Sequence, residues 1–136
     1  MTIHVGLHRF DVAEKVAAEA SACCGCIKVK MLEIGHSSEF TKTLFVQFAS
    51  DAKLSRLNDI IRNAAQDSSN YQLKPHLSLL YKKMPTAARR ELADSIKLPF
   101  SEVVFDSIKV VRCISPTRSR AHVESWRVLA VKALAG

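Results

Sequence analysis

The alternation of apolar and polar positions divides much of the chain into strands. Apolar residues alternate with charged ones over residues 27–34, and a second apolar run at 41–48 follows a Gly-His-Ser-Ser sequence typical of a turn. A period of two is typical of a strand with one buried face, so these runs predict an antiparallel hairpin. Further strands are predicted at residues 2–7, 76–81, 102–105, 107–114 and 125–134.

Three other segments carry apolar residues at helical spacing, namely residues 12–24, 51–65 and 85–96. Asp11 and Glu14 form a capping-box pattern that predicts the start of the first helix, and Gly25 predicts its end. Residues 66–70 and 115–120 are polar and predict loops. This order of elements indicates one α+β domain over residues 1–136, with antiparallel sheets and helices on the outer faces.

Composition adds a preference for anionic partners. A chain of 136 residues is long enough for one domain with a real core. Its net charge of +7 favours nucleotides, RNA or phosphorylated metabolites as ligands. The sequence shows neither a signal-peptide pattern nor an apolar run long enough to cross a bilayer, so a cytoplasmic protein without membrane contact is expected.

Four cysteines, Cys23, Cys24, Cys26 and Cys113, raise the question of a metal site. In the cytoplasm they are expected to be reduced thiols. We interpret the first three as small buried side chains at a helix-to-strand junction rather than as zinc ligands. No metal and no other cofactor is expected.

The candidate chemistry lies in the segment from Pro75 to Tyr81, where His76 and Ser78 stand two residues apart in an apolar alternating run. In a strand, side chains at i and i+2 point to the same face. An imidazole beside a hydroxyl can bind a phosphate and transfer a proton. General acid–base cleavage of a phosphodiester uses two imidazoles, and His4, in the predicted first strand, supplies a second one.

Other candidates are weaker on their sequence context. His36 and Ser38 also spell H-x-S, but they fall in the predicted turn, where the alternation that aligns two side chains is lost. His8 shares a face with His4 only if the first strand runs that far, and His122 is expected to be solvated. Several basic residues are interpreted mainly as solvated surface, although they can attract phosphate: Lys74, Lys82, Arg118 and Arg120.

With His4 and the string from Pro75 to Tyr81 in this element order, the chain resembles the two-histidine phosphoesterase superfamily, in its cyclic phosphodiesterase-like and RNA ligase-like branch. The resemblance covers nearly the whole chain and includes Ser125 to Val128 in a late strand. It implies two H-x-T/S motifs on central strands of two pseudo-symmetric lobes, each an antiparallel sheet with outer helices.

The resemblance also implies a metal-free mechanism at a cleft between the lobes. His4 and His76 would act as general acid and base on a 2′,3′-cyclic nucleotide or an RNA-end phosphate, with the assignment of the two roles left open. Ser78 would hold a non-bridging oxygen of the phosphate. Tyr81 would line the cleft and stack on a base.

Two departures from the family pattern keep alternatives open. Gly6 stands where the first motif has a hydroxyl residue, and few residues precede His4 where family members have a strand and a helix. An edge left uncovered in this way favours a homodimer. The main alternative is a degenerate nucleotide- or RNA-binding module; a structural protein with a coincidental motif is a further one. RNA ligation by the reverse reaction is a further alternative, which only some members of the superfamily imply.

Overall fold

The fold is described by a computed structural model that covers residues 1–66 and 70–135. The elements in chain order are α1 (Phe10–Ala22), β1 (Ile27–His36), a 3₁₀ turn (Phe40–Lys42), β2 (Leu44–Phe48), α2 (Ala52–Ala65), β3 (His76–Leu80), α3 (Thr86–Ser95), β4 (Glu102–Phe105), β5 (Ser107–Arg112), α4 (Arg120–Glu124) and β6 (Arg127–Ala133). A four-stranded antiparallel sheet has the order β3-β2-β1-β4, and β5 pairs antiparallel with β6 in a second sheet. The predicted α+β class with antiparallel sheets is confirmed.

The alternation in β2 separates a core face of the larger sheet from an open face. Leu44, Val46 and Phe48 are buried, whereas Phe45 and Gln47 between them are only half-buried. Helices α1 and α2 pack together over the core face, and their buried side chains share one apolar cluster with those of β1 and β2. The side chains that do chemistry must therefore be sought on the other face.

The second sheet packs against α1 and extends the same core. Ile108 of β5 and Leu134, just after β6, are buried in the cluster that α1 and the larger sheet form. Lys132 of β6 reaches across to α1 and contacts the Glu14 carboxylate at 3.0 Å. The two sheets are unequal in size, with four strands and two.

The predicted strand over residues 2–7 is wrong, because the first nine residues form neither helix nor strand. Their backbone is bonded to side chains instead of a neighbouring strand. The Asn58 amide donates to the Ile3 carbonyl at 2.6 Å, and the Tyr71 hydroxyl donates to the Thr2 carbonyl at 3.1 Å. Periodicity in a short segment does not provide the partner strand that a sheet requires.

Helix boundaries correct two further predictions. Helix α1 begins at Phe10 without a side-chain cap, and Asp11 lies inside the first turn, where its carboxylate contacts Arg9 at 3.2 Å. The helix ends at Ala22, before Gly25. Helix α2 fits its prediction: the Asp51 carboxylate caps it by accepting from the Leu54 N–H at 2.9 Å.

The β1–β2 connection and the late loop differ from the sequence interpretation. His36 is the last residue of β1, so the turn predicted from Gly35 begins two residues later, at Ser37. The Ser37 hydroxyl donates to the Lys42 carbonyl at 2.6 Å and so bonds the start of the β1–β2 connection to its end. Helix α4 was not predicted, and residues 67–69 of the predicted loop lie outside the described residues. Within the described ranges, no helix is both long and apolar enough to cross a bilayer.

Candidate phosphate site on the open sheet face

The H-x-S pair lies on β3, an outer strand of the larger sheet. His76 is paired with Gln47 and Ser78 with Phe45 across the β2–β3 ladder. Paired residues of antiparallel strands share a face, so His76 and Ser78 stand with Phe45 and Gln47 on the face opposite the core. Leu77, between the two motif residues, packs against the core cluster. The strand prediction that aligned His76 with Ser78 is therefore confirmed.

A backbone hydrogen bond fixes the orientation of the His76 ring. Its Nδ1 lies 2.7 Å from the Lys74 carbonyl oxygen. A carbonyl only accepts, so Nδ1 carries the hydrogen and the neutral ring has its lone pair on Nε2. The edge of the ring meets Phe45, with centroids 5.8 Å apart. His76 thus has the tautomer of a base that accepts at Nε2.

The surroundings of His76 favour its neutral form. Burial is the largest cause and lowers the pKa of His76, and the positive charges of Lys42 and the Met1 amine lower it further. The hydrogen bond to Lys74 and the charge of Glu39 act in the opposite direction. Because the net shift is downward, the imidazole is mainly neutral at neutral pH.

Ser78 is bonded to the 3₁₀ turn that joins β1 and β2. Its hydroxyl donates to the Thr41 carbonyl at 2.7 Å, so the proton is used within the protein while the oxygen lone pairs can still accept. To donate to a phosphate oxygen, the hydroxyl must rotate away from Thr41. Lys42, which follows Thr41 in the 3₁₀ turn, places its amine 4.4 Å from the centroid of the Phe45 ring. A cation therefore lies beside the histidine–serine pair.

Gly35 provides the space for the Phe45 ring on the same face. It is paired with Phe45 in the β1–β2 ladder, and a Cβ built on Gly35 would come within 2.5 Å of the ring carbon Cζ. Real Cβ contacts are not that short, so any larger residue would push the ring away. The glycine thus maintains the position of a ring that contacts both His76 and Lys42.

His4 lies in the irregular N-terminal segment and not on a strand. Its ring stacks on His8 with centroids 6.0 Å apart and meets the edge of Tyr71 at 6.3 Å. The tethers from Asn58 and Tyr71 hold the backbone of this segment just before His4. The strand that would have given His8 and His4 a shared face is absent, and the two rings are neighbours through this stacking instead.

The N-terminal segment and β3 are electrostatic neighbours. The charge of the Met1 amine reaches His76, and burial together with Lys109 lowers the pKa of that amine. Gly6, at the position where the resemblance implies a hydroxyl residue, is exposed.

Tyr81, the last predicted site residue, lines a different cavity from the H-x-S pair. A groove of about 570 Å³ lies where β3 ends. Its lining consists of Phe40, Tyr81, Lys82, Lys83, Arg118, Arg120, Val123 and Glu124. The Tyr81 ring contacts Trp126 with centroids 6.0 Å apart and Phe40 with centroids 6.2 Å apart. We call this feature the aromatic–basic groove.

His122 and the cysteines are the other chemically reactive side chains that the sequence analysis considered. His122, expected to be solvated, is half-buried in α4, and its Nδ1 accepts from the Arg118 N–H at 3.2 Å. The prediction of small buried side chains at the helix-to-strand junction is confirmed for Cys24 and wrong for Cys23 and Cys26, which are exposed free thiols, as is Cys113. Over residues 1–66 and 70–135, no group of three histidine, cysteine or acidic side chains is arranged to hold a metal ion.

Comparison with known proteins assigns no family: no protein-family model matches the chain, and no curated protein matches it.

Lys42 and Phe45 are the site residues that the sequence interpretation missed. Phe45 had a readable signal, because it alternates with three buried residues of β2 and so must lie on the face that His76 and Ser78 share. Lys42 had none. It reaches His76 through a 3₁₀ turn whose geometry depends on contacts with distant residues, such as the 2.6 Å bond from the Thr43 hydroxyl to the Lys82 carbonyl.

Proposed function

We propose that the protein hydrolyses a cyclic phosphodiester, such as a 2′,3′-cyclic nucleotide, with His76 as general base and His4 as general acid. The observation that carries this proposal is the oriented His76 ring, whose Nδ1 donates to Lys74 while Nε2 remains available. The lowered pKa of His76 keeps that nitrogen unprotonated near neutral pH. A base needs this protonation state before it can activate water.

In the proposed reaction, His76 Nε2 takes a proton from water as the water oxygen forms a bond to phosphorus. The bond from phosphorus to one ribose oxygen breaks, and protonated His4 supplies the proton to that leaving oxygen. The product is a phosphomonoester, and proton exchange with solvent restores both imidazoles. Lys42 lies beside His76 and supplies positive charge for the phosphate oxygens.

A second candidate is a module that binds the phosphate without turnover. It is favoured by Gly6, which has no hydroxyl, and by Ser78, whose hydroxyl proton is donated to Thr41. Both candidates predict saturable binding of a 2′-nucleotide. They differ only in the release of product.

Hydrolysis of 2′,3′-cyclic nucleotides in EDTA, followed by product chromatography, tests the proposal. We expect turnover for the unmodified protein and a loss of about 10²- to 10⁴-fold in His76→Ala, the usual contribution of a general base. His36→Ala is the matched control, because His36 also begins an H-x-S sequence and lies in the same sheet, and it should retain turnover. Binding without turnover selects the second candidate. The absence of both binding and turnover refutes both candidates.

The proposal extends to assembly through a sheet edge. Strands β3 and β4 are the outer strands of the larger sheet, and outer strands present unpaired backbone groups. We expect a homodimer formed through one of these edges. Sedimentation equilibrium over a range of concentrations tests it, and a constant monomer mass would contradict it. Cytoplasmic location stays a prediction from the sequence.

A further inference from the structure

The aromatic–basic groove carries an unbalanced positive charge. Four cationic side chains line it, namely Lys82, Lys83, Arg118 and Arg120, against the single carboxylate of Glu124. Glu124 is already engaged, because its Oε1 lies 2.6 Å from Nε of Arg120. In the part of the chain that the structure describes, no carboxylate pairs with the other three cations. The groove therefore matches a ligand with several negative charges in a row.

One wall of the groove is aromatic. Phe40 and Tyr81 line it, and Trp126 supports Tyr81 from behind at 6.0 Å between centroids. A ring held by two neighbouring rings loses little conformational freedom when a ligand stacks on it. Rings beside cations are the combination that single-stranded nucleic acids use, with bases on the rings and phosphates on the cations.

The groove and the histidine site lie on either side of the same 3₁₀ turn. Phe40 lines the groove, Thr41 accepts from Ser78, and Lys42 acts on His76. Tyr81 follows His76 by five residues along an extended strand, a separation of roughly 16 Å. A single nucleotide is too short to occupy both places, whereas a short strand of nucleic acid can.

We propose that the aromatic–basic groove binds single-stranded RNA, through its backbone phosphates and one or more stacked bases. Resting on the proposed function, the groove holds the nucleotides adjacent to a terminal cyclic phosphate at His76, so that RNA ends are preferred to free cyclic nucleotides. An acidic peptide would satisfy the cations but leave the aromatic wall unused, and RNA is therefore favoured.

Trp126 is the only tryptophan of the chain and contacts the groove wall, so its fluorescence reports on ligands in the groove. The probe is a short single-stranded RNA with an ordinary 3′-hydroxyl, which His76 cannot cleave. We expect saturable quenching, with RNA bound at least tenfold more tightly than polyphosphate or polyglutamate of equal charge. Equal affinities would overturn the proposal, and tighter binding of polyglutamate would identify a peptide site.

Two pairs of variants separate stacking from charge. Tyr81→Leu should lose about 5- to 100-fold in RNA affinity, the usual range for one stacked base, whereas Tyr81→Phe should lose little. The second pair is assessed by the slope of the logarithm of the RNA association constant against the logarithm of the salt concentration. The double variant Lys83→Glu and Arg118→Glu should make this slope less steep by about 1.4, or 0.7 for each phosphate contact that is lost. Lys53→Glu with Arg56→Glu on the exposed side of α2 makes the same charge change and should leave the slope nearly unchanged.

The hydrolysis proposal and the groove proposal can be refuted separately. RNA binding without turnover of any cyclic phosphate would refute the hydrolysis but not the groove. Turnover of free cyclic nucleotides, with equal RNA affinity in Tyr81→Leu and the unmodified protein, would refute the groove but not the hydrolysis.

Discussion

The two histidines of the proposed mechanism are positioned in different ways. His76 lies in the β2–β3 ladder, and its ring is fixed by a backbone carbonyl and by Phe45. His4 lies in an irregular segment whose backbone is held by side-chain donors from Asn58 and Tyr71. The difference shows that a sheet can orient one half of a site while the other half depends on a few individual tethers. Changes in the two halves should therefore have different consequences.

The largest expected effect separates the two proton-transfer roles. His4→Ala should slow hydrolysis of a cyclic nucleotide by about 10²- to 10⁴-fold, as His76→Ala does. A phosphodiester with a p-nitrophenol leaving group needs no proton on departure, so it should restore most of the rate in His4→Ala and not in His76→Ala. Initial rates of the two substrates measure this. Rescue of His76→Ala instead would reverse the assignment of acid and base.

A gain of function is expected at Gly6. Gly6→Thr adds the hydroxyl that the resemblance to two-histidine phosphoesterases implies at this position, and Gly6 is exposed, so the larger side chain can be accommodated at the surface. A new hydrogen bond to the charged phosphate is worth roughly 1.5–3 kcal/mol, which corresponds to an increase in kcat/KM of about ten- to a hundredfold. Gly6→Ala adds the Cβ without the hydroxyl and serves as the control. Equal rates in both variants would show that His4 and Gly6 do not form a motif of this family.

A stability difference is expected between two glycines. Gly35→Ala forces a Cβ against the Phe45 ring, whereas Gly6→Ala adds a Cβ at an exposed position. Overpacking of this kind costs about 1–3 kcal/mol in the free energy of unfolding, while a surface substitution stays within about 0.5 kcal/mol. Urea denaturation measures both values. Similar midpoints for the two variants would contradict the close packing of Phe45 on Gly35.

The smallest effect concerns the pKa of His76. Removing the nearby positive charge in Lys42→Gln should raise this pKa, and less than exposing the ring would, because Lys42 is a smaller cause of the downward shift than burial. Lys28→Gln is the control, since Lys28 is paired with Glu102 at 2.9 Å on another part of the sheet. A proton NMR titration of the imidazole resonances measures the shift. An unchanged value in Lys42→Gln would contradict the proximity of the two charges.

The same shift sets the sign of the pH dependence. Because the folded protein lowers the pKa of His76, the unfolded chain binds that proton more readily. The contribution of His76 to stability is therefore present above about pH 6.5 and is lost as the pH falls through the lower folded-state pKa. Catalysis by His76 as a base should decline over the same range, whereas binding of the phosphate should not.

Much of the sheet and one motif could be predicted from the sequence. The alternation in β1, β2 and β3 identifies their buried faces, and the spacing in α2 identifies its buried side. These patterns succeed because each follows from the local geometry of a strand or helix. The pattern at residues 2–7 fails, because a strand also requires a neighbour with free backbone groups.

The sequence by itself determined helices α1, α2 and α3, the hairpin and the shared face of His76 and Ser78, since neighbours along the chain fix those relations. Only the tertiary structure decided what surrounds that face. It placed Lys42 and Phe45 beside His76, bonded Ser78 to Thr41 and separated Tyr81 into the aromatic–basic groove. Each of these contacts joins residues far apart in the chain, and their geometry depends on strand order and turn conformation, which local periodicity does not specify.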